Sequence, residues 1–62
     1  MNKYDFLLGK DLSSVKAFAE QNGLITRIVN VDSVPVMLTC DYNPSRLNLT
    51  IDNGLVTEIG IG

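Results

Sequence analysis

The stretch Arg46-Leu47-Asn48-Leu49-Thr50-Ile51-Asp52-Asn53-Gly54 carries the clearest structural signal in the chain. Leu47, Leu49 and Ile51 alternate with Arg46, Asn48 and Thr50, the period of a strand with one apolar and one polar face. Asp52-Asn53-Gly54 follows, and Asn-Gly is a strong hairpin signal because both residues tolerate positive φ. Leu55 to Ile61 therefore returns as a second, antiparallel strand, loosened at its end by Gly60 and Gly62.

Upstream, Leu24 to Val31 is rich in β-branched residues and reads as another strand. Ile25, Val29 and Val31 share a face with Arg27, while Leu24 and Ile28 lie on the other, as suits a strand with neighbours on both sides. Asp32-Ser33 ends it. The chain from there to Arg46 is long enough for a crossover, so this strand and the Leu47 strand can pair in parallel. Before them, Leu12, Val15, Ala19 and Asn22 follow helical spacing with Phe18 beside them, and a helix is expected over about Leu12 to Asn22. Asp11 is its N-cap, its carboxylate accepting a hydrogen bond from a first-turn amide. Asn22-Gly23 stops it. Tyr4, Phe6, Leu7 and Leu8 form a lead-in available for packing. The expected fold is α+β, a single domain over residues 1–62: one helix packed on a small mixed β-sheet with a long exposed loop.

Composition bounds the function. A chain of 62 residues with 45% hydrophobic and 19% charged residues is globular, with a small core and little stability to spare. Its single cysteine forms no internal disulfide. A net charge of −2, with the cations scattered at Lys3, Lys10, Lys16, Arg27 and Arg46, argues against a nucleic-acid polymer as partner. No segment approaches the roughly 18 apolar residues of a membrane span. The start Met-Asn-Lys-Tyr-Asp-Phe-Leu-Leu-Gly-Lys has no signal-peptide pattern, so a cytoplasmic location with a reduced thiol is expected.

Enzyme chemistry lacks its parts. Without histidine no Ser-His or Cys-His pair exists. The acids show no two-carboxylate pairing, one cysteine makes no transition-metal site, and no Gly-rich phosphate cradle is present. No enzyme activity, metal or cofactor is expected.

The loop carries the remaining information. Val34 to Arg46 holds both prolines and Cys40, and Pro35 and Pro44 are expected to stiffen it and block edge pairing. Tyr42, an aromatic in a small domain, is expected mainly to pack. Leu8-Gly9-Lys10 before the helix, then Thr39-Cys40-Asp41-Tyr42-Asn43-Pro44-Ser45-Arg46-Leu47-Asn48-Leu49, Ile51-Asp52 and Ile59-Gly60-Ile61-Gly62, resemble the potato type I family of serine-protease inhibitors. The Asp-Tyr-x-Pro-x-Arg-Leu-Asn wording is closest to its bacterial and fungal relatives. The resemblance runs from about Leu8 onward.

It implies a loop, about Met37 to Asn43, that docks in a protease cleft like a substrate. Cys40 matches the residue filling the specificity pocket, and Cys40-Asp41 the reactive bond. Thr39 and Asp41 match residues held by arginines rising from the strand below, and Tyr42 belongs to the same contact run. Arg46 matches the first supporting arginine; the second position holds Asn48. A small Cys40 implies a subtilisin-, chymotrypsin- or elastase-type partner. The alternative is a repurposed, phage-encoded homo-oligomer that sequesters a small anionic ligand such as a cyclic nucleotide, with Arg27, Arg46, Thr39, Asn48 and Thr50 as donors.

Overall fold

The computed structural model describes residues 3–36 and 41–62. A 3₁₀ turn at Asp5–Leu7 leads into helix α1, Leu12–Gln21, followed by strands β1 (Ile25–Val31), β2 (Val34–Pro35), β3 (Arg46–Asp52) and β4 (Leu55–Ile61). The four strands form one sheet in the order β2-β1-β3-β4, parallel between β1 and β3 and antiparallel elsewhere, with α1 on one face. This is the α+β arrangement expected, one helix on a small mixed sheet.

The helix ends as its sequence dictates. Gly23 takes φ +69°, its amide reaches Glu20 O, and the Leu24 amide donates to Ala19 O at 2.8 Å. That pair of bonds is the Schellman pattern, which glycine permits without a Cβ clash. Asn22 lies just outside the helix and is exposed, donating its side-chain amide to Phe18 O, so it is a cap and not part of the apolar stripe. The start differs from expectation too. Asp11 stands at the N-cap in extended conformation, but its carboxylate accepts from the Ser14 hydroxyl and not from a backbone amide. A nearby short hydroxyl competes with the amide for the same oxygen.

Val15 and Ala19 from α1 meet Leu47, Leu49 and Ile51 from β3, with Val56 and Leu7 completing the buried set. Leu12, Phe18, Leu24, Ile28 and Ile59 pack around them. Of the lead-in, Leu7 is buried and Phe6 and Leu8 stay largely exposed; Tyr4 and Phe6 set their rings edge-on to Phe18.

Two register shifts set which side chains share a face. In β1 the pairing runs Ile28↔Leu49 and then Asn30↔Thr50, leaving Val29 as the extra residue; in β4 it runs Ile51↔Val56 and then Thr50↔Glu58, leaving Thr57. Both shifts fall at the Thr50 level of a regular β3, where they add twist. The shift in β1 overturns one expectation. Val31 does not share a face with Arg27 but pairs with Ile51, on the helix side, because one inserted residue inverts the alternation beyond it.

The loop is also shorter than its sequence implies. Asp32 and Ser33 both take positive φ (49° and 67°), making a two-residue turn of the kind that favours hairpins. Val34–Pro35 then pairs with Val31 and Asn30, so Pro35 joins the edge instead of blocking it. It can do so because the flanking ladder bond is made by the Val36 amide to Val29 O, and Pro35 sits where an N–H would point away from the sheet.

Asp32 ties this turn to the other hairpin: its amide donates to Ile51 O and its Oδ1 accepts from the Asn53 amide, both at 2.8 Å. Replacing Asp32 by alanine removes that acceptor and places a Cβ-bearing residue without a polar compensation at positive φ. The expected loss is about 1–2 kcal/mol in urea denaturation, whereas Asp32→Asn, which keeps both features, should cost about 0.5 kcal/mol or less. Equal losses for the two variants would show that the inter-turn bond contributes nothing.

Candidate functional site

Parallel pairing of β1 with β3 places Arg27 beside Asn48, and Arg46 lies two residues before Asn48 on the same, helix-free face. The returning arm of the loop, residues 41–45, meets this end of the sheet. Pro44 and Ser45 form a turn closed by the Arg46 amide donating to Asn43 O, and the Asn43 side chain accepts from the Ser45 amide. Proline at the first turn corner and an asparagine folding back on its own backbone are the residues such a turn prefers.

Asp41 is the point where loop and sheet are joined. Arg46 Nη2 donates to Asp41 O at 2.7 Å and Nη1 to its Oδ2 at 3.2 Å. Arg27 Nη1 stands 3.6 Å from Asp41 Oδ1, an ion pair too long for a hydrogen bond. The Asp41 side chain is 59% exposed while those of Arg46 and Arg27 are 12% and 21% exposed. Solvent screens the charge attraction at the exposed carboxylate, so the firmer part of the clamp is the part-buried set of bonds to the Gly62 oxygen.

Gly62 supplies the second backbone oxygen. It accepts from Arg46 Nη2 at 2.6 Å and Nε at 3.2 Å, from Arg27 Nη2 at 3.4 Å and from the Asn43 amide at 3.3 Å. The Gly62 amide in turn donates to Arg46 O. A Cβ at this position would come within 3.3 Å of the Tyr42 ring, so glycine lets the ring lie over the clamp. Tyr42 itself is 73% exposed, which corrects the expectation that it packs in the core: its ring lies at the surface, against the buried Gly62. Asn48 Oδ1 accepts from Arg27 Nε at 3.1 Å and so fixes the direction of that guanidinium.

The residues singled out from sequence thus separate into groups. Arg27, Arg46, Asn48, Asp41 and Tyr42 come together. Thr50 does not join them: its hydroxyl turns to Glu58, 3.5 Å away. Met37, Thr39 and Cys40 lie outside the described residues, so the Cys40-Asp41 bond is defined here only on its Asp41 side. The contacts of Arg27 with Asp41 and of Gly62 with both arginines were not foreseen. The register that brings Arg27 level with Asn48 is not readable from either strand alone.

A groove of about 480 Å³ runs along the same face, lined by Asp5, Leu8, Asn48, Thr50, Glu58 and Gly60 among others. Its charged lining is acidic. Among the described residues no three metal-ligating acids or thiols gather, and no helix is long and apolar enough to cross a membrane. No family model matches this chain, and no curated protein sequence matches it significantly.

Proposed function

We propose that this protein is a loop-presenting binder of serine proteases, of the potato type I inhibitor kind, that offers Met37 to Asn43 to a subtilisin-, chymotrypsin- or elastase-type cleft. The observation that carries this reading is the anchoring of Asp41: two guanidinium groups from the sheet and the Gly62 backbone hold the arm on one side of the Cys40-Asp41 bond. A loop held in its docking shape loses little conformational entropy on binding, so its contacts translate into affinity.

In this reading the same clamp also slows net cleavage of the loop. Attack on the Cys40 carbonyl by a protease serine breaks the bond to the Asp41 nitrogen, and the new amine belongs to a residue still tied to Arg46 through its carboxylate and carbonyl. Kept beside the acyl-enzyme, that amine re-forms the peptide bond in competition with water. Clamping Asp41, not Cys40, is what this chemistry requires.

The anionic-ligand alternative has weaker support. The guanidinium groups it needs already face the Asp41 carboxylate and the Gly62 oxygen, and the adjoining groove is lined by Asp5 and Glu58. Titrating subtilisin, chymotrypsin and elastase with the reduced protein should give stoichiometric loss of activity for at least one, and Cys40→Lys should abolish it. Full protease activity at about ten micromolar protein overturns the reading, since a preorganised loop is expected to bind well below that concentration.

A further inference from the structure

We propose that Arg27 is the second loop-positioning cation of this protein and that Asn48 is its aligner, the two roles being divided between neighbouring parallel strands. The inference rests on the loop-presenting reading above.

The geometry is specific. Arg27 and Asn48 are register partners in β1 and β3, so their side chains leave the sheet side by side on the helix-free face. Asn48 contributes a neutral oxygen to Arg27 Nε, which leaves the two terminal nitrogens of the fork pointing toward Asp41 Oδ1 and Gly62 O. Arg46 reaches the same Gly62 oxygen and the other oxygen of the same carboxylate, Asp41 Oδ2, from β3. The pair of cations therefore converges from two strands, with one carboxylate between them. Asn48 is not an empty position. An arginine placed there would lie beside both Arg27 and Arg46, deprive Arg27 of its acceptor and crowd a third cation against one carboxylate.

This makes opposite predictions for one substitution. If position 48 were simply lacking a supporting charge, Asn48→Arg would tighten the loop; if Arg27 already fills that role, Asn48→Arg loosens it. Amide hydrogen exchange of Asn43 reads this directly, because the Asn43 amide donates to the Gly62 oxygen inside the clamp. Arg27→Ala, Asn48→Ala and Asn48→Arg are each expected to speed exchange at this amide roughly threefold to fivefold, the upper end of the range for one solvent-screened charged contact. The double variant Arg27→Asn/Asn48→Arg, which exchanges the partners between strands, should return exchange to within about twofold of the parent. Exchange at Leu49 and Val56 reports global unfolding and should move less than exchange at Asn43 in every variant.

Slower exchange in Asn48→Arg, or unchanged exchange in Arg27→Ala, overturns the proposal. The measurement uses the protein alone, so it judges Arg27 even if no protease is inhibited. Conversely, inhibition that persists in Arg27→Ala with unchanged exchange would sink the role of Arg27 and leave the loop-presenting reading standing.

Discussion

Replacing Leu49 by alanine is expected to remove about 3–5 kcal/mol of stability, the range for emptying a fully buried leucine site. Leu49 has no exposed surface and sits at the middle of β3, paired with Ile28 of β1 on one side and Ile59 of β4 on the other. Truncation there removes contacts to both neighbouring strands and to the Val15 and Ala19 layer of α1 at once. Domains of this length hold roughly 3–9 kcal/mol in total, so the loss amounts to about a third of the stability at the least and all of it at the most. Leu49→Met, which conserves volume, should cost less than about 1.5 kcal/mol. Urea denaturation followed by circular dichroism measures both. A loss below about 1 kcal/mol for the alanine variant would mean that the centre of the fold lies elsewhere.

The second large effect is functional. Arg46→Ala should weaken protease binding by about 2–4 kcal/mol, roughly thirtyfold to a thousandfold, while lowering folding stability by only about 1 kcal/mol. The imbalance follows from where the bonds go. Arg46 donates to Asp41 O, Asp41 Oδ2 and Gly62 O, all at the junction of loop and sheet, whereas the neighbouring β3 residues Leu47, Leu49 and Ile51 supply the core. Without the guanidinium the loop samples other shapes, and docking must then meet that ordering cost. Arg46→Lys should recover part of the binding, since an ammonium keeps the charge but cannot span both backbone oxygens with a planar fork. Comparing inhibition constants with denaturation midpoints for the three proteins tests the point. Losses of equal size in binding and stability would refute a bracing role.

Both predictions depend on the same strand, and β3 was the most legible part of the chain. Its alternation, the Asn53-Gly54 turn and the Gly23 helix stop rest on preferences that act within a few residues, and each appears in the structure where the sequence places it. The Asp32-Ser33 turn was harder to read. Serine has no strong preference for positive φ, and the turn is secured by the Asp32 bond to Asn53 from the other hairpin, a contact between residues far apart in sequence. The face of Val31 was misread for a related reason: the register shift at Val29 exists only relative to β3.

Period, turn chemistry and chain order are local properties, so the set of elements, the apolar face of β3 and Arg46 as a cation beside the loop are legible in the residues alone. The arrangement around Asp41 arises from strand pairing and is not legible there. Arg27 comes to it because the parallel register sets Arg27 beside Asn48, and Gly62 because the antiparallel return of β4 brings it back to Arg46. Neither residue carries a mark of that role in its own neighbourhood. The clamp is a product of strand pairing, in which long-range hydrogen bonds fix partners that short-range preferences leave undetermined.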